Sequence, residues 1–118
     1  DMNDIIDQIR TKAAGMKVEL ISDSGVVLHD PNCWLVQTLS EAYAQVMGSS
    51  VKPTTTTGGT YAHVCQTIIP YGPSFPGQVG IAHQPNEWVD IDDLLTCAKV
   101  YAWSLYKLSQ MDKNIKPW

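Results

Sequence analysis

A chain of 118 residues has room for one domain with a small core, and a chain of this size is expected to bury about two-thirds of the surface its unfolded form exposes. With 44% hydrophobic and 17% charged residues the composition is globular, and no stretch approaches the ~20 apolar residues of a membrane span. A net charge of -4 with eight Lys and Arg scattered along the chain argues against a phosphate-binding surface, so neither nucleic acid nor membrane is an expected partner.

The first segment is acidic and amphipathic, unlike the basic and then apolar run of a signal peptide. It opens on Asp1 instead of an initiator Met, which suggests a piece of something longer. Ile5, Ile6, Ile9 and Ala13 recur at helical spacing and predict a short helix over 4–14, with Asp1 or Asn3 as N-cap and Gly15 as the stop. Residues 17–22 read as a strand, and Asp23-Ser24-Gly25 turns the chain into a second strand over 26–29. Asp30-Pro31-Asn32 breaks that strand and starts a second helix, in which Leu35, Leu39, Tyr43 and Val46 form the buried stripe before Gly48 ends it. The β-branched run at 51–57 predicts a third strand, with Pro53 at its start or at an edge.

Gly58-Gly59 marks a break in texture. A short helical turn is expected within 60–65, a strand over 66–70, and a long Gly/Pro loop over 71–84 that is marked as functional by its length. The closing helix is predicted over 91–111. Asp90 is its N-cap, with Asp93 approximating a capping box, and Ile91, Leu94, Leu95, Ala98, Ala102, Leu105 and Leu108 lie along one face. The predicted fold class is therefore α/β (α+β), with an α-β-β-α-β first half. Cys33, Cys65 and Cys97 form no Cys-x-x-Cys pair, and they read as reduced thiols, predominantly buried, of a cytoplasmic protein.

His83-Gln84-Pro85-Asn86-Glu87 carries the most chemistry. Pro85 stiffens the backbone two residues after an imidazole, and a carboxylate follows four residues on, an arrangement able to hold a metal ligand and a supporting group. A loop histidine without metal fits the same spacing, and Glu87 equally suits the N-terminal end of the last helix dipole. Ser74 has no His-Asp partner, so a nucleophilic serine is not expected. His29 reads as a strand-end residue in a turn, and Trp88, Tyr101, Trp103 and Tyr106 as packing aromatics.

Three pieces in register, Thr57-Gly58-Gly59-Thr60-Tyr61-Ala62, Pro73-Ser74-Phe75-Pro76-Gly77-Gln78 and His83-Gln84-Pro85-Asn86-Glu87-Trp88-Val89-Asp90-Ile91-Asp92-Asp93-Leu94-Leu95, resemble the C-terminal third of the zinc-dependent dipeptidases of the carnosinase-like, Xaa-His type. Those are relatives of the zinc aminoacylases, acetylornithine deacetylases and succinyl-diaminopimelate desuccinylases. The resemblance implies that residues 1–57 are part of a lid or dimerisation domain and that 58–118 return to the catalytic domain, with its last strands and closing helix. It also implies two zinc ions that polarise a scissile carbonyl and activate water, with the general base and most ligands upstream and no catalytic base in this chain.

On this resemblance His83 matches the last metal ligand, with Glu87 supporting it. Gly58, Gly59, Thr60, His63 and Ser74 match positions near the substrate, which is a dipeptide. The family places an arginine where His63 stands. Imidazole lacks the guanidinium's bidentate fork and permanent charge, so carboxylate binding is expected to be weaker and pH-dependent here; a plain surface role for His63 remains open. With an incomplete zinc site the isolated chain is expected to be inactive. The rival expectation is a non-catalytic interaction module in which the α-β-β-α-β half and the final helix assemble as a homo-oligomer; separately, a lid half lacking its first strand is expected to expose a sheet edge that invites pairing with another copy.

Overall fold

A computed structural model describes residues 2–50, 52–65, 67–72, 74–77, 82–112 and 114–115. Its elements in chain order are α1 (Met2–Lys12), α2 (Trp34–Met47), a 3-10 turn (Tyr61–His63) and α3 (Ile91–Ser109). The predicted N-cap Asp1 and the predicted strand residues Val51 and Gln66 lie outside the described residues.

The α/β expectation is overturned. Among the described residues there are helices and no strand. Residues 17–29 run without ladder hydrogen bonds, and only a side-chain turn organises their middle, where Asp23 Oδ1 accepts the Gly25 N–H at 2.8 Å. The cause is that strand propensity extends a backbone but does not supply a layer to pack on, and an isolated two-stranded hairpin is marginal in water. Ile21 is 97% exposed and Val26 82%, so no apolar burial offsets the entropy of fixing a ladder. The β-branched stretch at 52–57 stays unpaired for the same reason, and the described part of 66–70 forms no strand either.

The helices form where local signals agree. The Gly48 C-cap of α2 adopts φ 72° and its N–H bonds the Ala44 carbonyl, the left-handed ending that glycine takes without a Cβ penalty. At the other end Cys33, not a polar residue, is the N-cap and makes no side-chain cap bond. The preceding turn supplies order instead, with Asp30 Oδ1 accepting the Asn32 N–H at 2.8 Å and Gln37 Nε2 donating to the Pro31 carbonyl at 2.7 Å. Asp90 caps α3 by accepting the Asp92 N–H at 2.8 Å.

The core lies between α2 and α3, which pack together, while α1 packs on neither. Val36, Leu39 and Ala42 of α2 and Cys97 and Val100 of α3 are buried, together with Ala62 and the polar Thr38 and Ser104. Tyr71 pins the pair: its hydroxyl donates to the Leu39 carbonyl at 3.0 Å, and the Ser104 hydroxyl lies 3.3 Å from the phenol oxygen. Tyr101 Oη donates to the Tyr71 carbonyl at 3.2 Å, and the two rings meet edge to face at 6.0 Å. Lys107 Nζ reaches Glu41 Oε2 at 2.8 Å across the same interface.

The α2 stripe runs along the predicted side, with Leu39 buried and Leu35, Tyr43 and Val46 half-buried. That of α3 does not. Its buried residues are Cys97, Val100 and Ser104, about 140° around the helix from the line through Ile91, Leu94, Leu95, Ala98, Ala102 and Leu105 at 3.6 residues per turn, while Leu108, the last residue of the predicted stripe, is half-buried. Those six residues are all exposed. Trp88, expected to pack, is 64% exposed, whereas Trp103 and Tyr106 do meet edge to face at 5.6 Å.

The whole is open. The radius of gyration is 18.6 Å, against about 13.5 Å for a compact chain of this length. The accessible surface is 9803 Å², against about 6,300 Å² for a compact monomer of this mass. About half of the unfolded chain's surface is buried, instead of the two-thirds expected from length.

Candidate functional site

The His83 turn is built by its own sequence. The Glu87 N–H donates to the Gln84 carbonyl at 3.2 Å, which closes a four-residue turn with Pro85 second and Asn86 third. Asn86 has φ 59°, the left-handed value that a type II pattern requires at its third position and that asparagine tolerates. Proline presets the second. His83 itself sits at φ 62°, a conformation that costs a residue other than glycine roughly 1–3 kcal/mol. Glu87 bears on that cost, because its Oε2 accepts the His83 backbone N–H at 3.3 Å. The carboxylate thus holds the backbone of the histidine and leaves the ring projecting from an exposed loop.

The second candidate region is the 3-10 turn. Thr60 caps it, accepting the Ala62 N–H on its hydroxyl at 3.1 Å, and Ala62 is buried. His63 closes the turn on the exposed side. The Gly58 N–H is already engaged by the Thr56 hydroxyl at 3.1 Å, so that amide is not open to a ligand in this conformation. Gly59 has open space where a side chain would stand.

Ser74 is exposed and is followed by Phe75, whose ring stacks on Tyr43 of α2 at 6.5 Å. The flanking Pro73 and Gln78 of that motif lie outside the described residues.

Among the described residues, no hydrogen bond or ion pair joins the 58–63 turn, Ser74 and the 83–87 turn, and no three His, Cys, Asp or Glu side chains converge. Zinc takes four protein ligands, or three and a water. The described donors of this chain therefore do not by themselves make a zinc site.

Two contacts were not legible from the sequence. The His29 ring bonds the Ile68 carbonyl through Nε2 at 3.1 Å, tying the first half to the second. A histidine before Asp-Pro gives no signal for a partner so distant in the chain. Cys65, expected to be buried with the other thiols, is exposed, while Cys97 is buried and Cys33 half-buried; all three are free. The Thr67 hydroxyl lies 3.0 Å from Cys65 Sγ. That hydrogen bond, and then the one from the Thr67 backbone, favour the thiolate and lower the Cys65 pKa from its ordinary value.

Among the described residues no helix is long and apolar enough to cross a membrane. Residues 7–107 match the sequence profile of Peptidase family M20/M25/M40. Three similar proteins carry names beginning "Putative dipeptidase". One is YtjP of Bacillus subtilis (strain 168), 38% identical over 76 residues that cover 64% of this chain and 16% of that protein. Another, from Staphylococcus epidermidis (strain ATCC 12228 / FDA PCI 1200), is 30% identical over 111 residues covering 92% of this chain and 24% of that protein. A protein of Lactobacillus delbrueckii subsp. lactis named "Beta-Ala-Xaa dipeptidase" is 28% identical over 64% of the chain and 16% of its own length. The chain thus spans between about a sixth and a quarter of the curated relatives it matches. No solved structure matches it significantly. With the profile running from within α1 almost to the end of α3, the chain belongs to peptidase family M20/M25/M40.

Proposed function

We propose that this chain is the C-terminal part of a zinc-dependent dipeptidase. Residues 1–57 belong to its lid, and 58–118 to its catalytic domain. The observation that carries the reading is the His83 turn within the matched region: an imidazole held on a preset backbone by Pro85, Asn86 and Glu87. In the complete enzyme His83 donates one ring nitrogen to a metal, and Glu87 keeps its backbone in the left-handed conformation. The other donors, and the group that moves the proton, come from polypeptide outside this sequence. Gly59, Thr60, His63 and Ser74 lie along the substrate's path, with Gly58 on the turn that places them. His63 meets the dipeptide carboxylate with one donor nitrogen at a time, so binding is weaker than a guanidinium would give. The three separate free thiols support a reducing, cytoplasmic setting.

The test compares dipeptide hydrolysis and zinc content in the isolated chain and in the complete polypeptide. The isolated chain is expected to hold well below one zinc and to be inactive. His83→Ala in the complete polypeptide is expected to remove activity together with bound metal. Stoichiometric zinc on the isolated chain, or full activity of the His83→Ala enzyme, refutes the assignment.

A further inference from the structure

We propose that Tyr71 and Phe75 are positioning residues: two aromatic anchors that fasten the segment around Ser74 to α2 and so pre-set it for the dipeptide. The inference rests on the dipeptidase reading, in which Ser74 lies on the substrate's path, and adds the residues that hold it there.

The anchors are spaced as the helix is. Tyr71 and Phe75 stand four residues apart, and so do their partners Leu39 and Tyr43, which lie about one turn, ~6 Å, apart along α2. The Tyr71 hydroxyl donates to the Leu39 carbonyl at 3.0 Å, and the Phe75 ring stacks on Tyr43 with centroids 6.5 Å apart and 29° between the planes. In an α-helix the Leu39 carbonyl also accepts the Tyr43 amide, so both anchors fall on a single turn of α2. Four residues can reach about 14 Å when extended, more than the spacing along the helix demands. The anchors are accordingly half-buried, while Gly72 and Ser74 between them are exposed.

Tyr71 is held at both ends. From α3, the Tyr101 hydroxyl donates to the Tyr71 carbonyl at 3.2 Å, and the Ser104 hydroxyl lies 3.3 Å from the phenol oxygen. Gly77, at φ 87°, turns the chain two residues after the second anchor, with a backbone value that glycine takes freely. Each contact alone is weak, a neutral hydrogen bond or a ring pair. Together they offset the entropy of ordering a loop that no helix or strand holds. The consequence falls on binding: a segment pre-set before substrate arrives serves ground state and transition state alike, so loosening it raises KM and leaves kcat. Only the fastened fraction of molecules binds at full strength, and one neutral hydrogen bond maintains a preference of about fivefold.

The experiment has two arms, each with Tyr71→Phe, Phe75→Leu, the ring-retaining Phe75→Tyr, and Val36→Ala, a core truncation on α2 that removes neither anchor. In this chain, backbone NMR relaxation reads the order of the Gly72, Ser74 and Phe75 amides. Order parameters are expected to fall below about 0.6 in Tyr71→Phe and Phe75→Leu and to stay near the rigid value of about 0.85 in the other two. In the complete polypeptide, the first two variants are expected to raise the dipeptide KM about fivefold with kcat within about twofold of the parent. Phe75→Tyr and Val36→Ala should keep the parent's KM. Unchanged order in both anchor variants overturns the proposal, as does a looser segment with an unchanged KM, or a KM that rises as much in Val36→Ala. A complete polypeptide that hydrolyses no dipeptide removes the dipeptidase reading, and the order parameters alone then decide whether the anchors hold the segment. An active enzyme with unchanged order does the reverse.

Discussion

Replacing Tyr71 by Phe tests the account of how α2 and α3 are held together. The hydroxyl makes one full hydrogen bond, to the Leu39 carbonyl at 3.0 Å, and a longer contact with Ser104 at 3.3 Å. Its removal leaves no polar group stranded, since the Ser104 hydroxyl keeps the Val100 carbonyl at 2.8 Å. The loss should therefore be that of one neutral hydrogen bond, about 1 kcal/mol, seen as a melting temperature lower by roughly 4 °C. The edge-to-face contact with Tyr101 at 6.0 Å survives the change. Tyr71→Ala removes the ring as well and should cost about 3 kcal/mol, the low end for an aromatic truncation because the site is only half-buried.

The same residue sets an alkaline limit. Burial penalises the phenolate and raises the Tyr71 pKa above the usual value of 10.0, with the Ser104 hydrogen bond opposing this and the nearby Cys97 and Tyr43 adding to it. The folded state thus keeps a proton that the unfolded state releases. The resulting stability is fully present below about pH 10 and is lost as pH rises through the folded pKa. Tyr101 is raised in the same direction, first by burial and then by Cys97 and Tyr71, so Tyr71→Phe should shrink the alkaline fall in stability without abolishing it. Urea denaturation between pH 8 and 11, with phenolate absorbance followed in parallel, reads both effects. A Phe variant as stable as the parent with an unchanged alkaline profile would refute the role given to Tyr71.

Two further outcomes follow from local geometry. Asp90→Ala removes the cap on the Asp92 N–H and should lower stability by about 1 kcal/mol, with loss of protection of the first-turn amides in hydrogen exchange; unchanged protection would contradict the capping assignment. Cys65 should react with iodoacetamide at pH 8 faster than Cys33 or Cys97, because it is exposed and Thr67 favours its thiolate. Thr67→Val should slow that reaction selectively, and a uniform rate at all three thiols would contradict it.

Local chemistry in the sequence was enough to determine that the three helices form and to fix two of their ends, Gly48 in the left-handed cap and Asp90 on the first turn of α3, together with the Leu39 stripe of α2, whereas α1 runs over Met2–Lys12 with Asn3 inside it and α2 starts from Cys33. It also determined the constrained turn at 83–87, because Pro85 and Asn86 act on their own backbone. What it left open was every feature that depends on a partner far along the chain. The β-branched segments stayed unpaired because propensity cannot supply a neighbouring strand. Tyr71, placed in a loop by its Gly and Pro neighbours, turned out to bridge two helices. The spacing of Glu87 announced a supporting group, but only the coordinates showed that it grips the His83 amide. For α3, periodicity found an apolar face and the tertiary structure buried a different one. A helical pattern records how apolar a side is, whereas the face that is covered depends on which elements arrive to cover it.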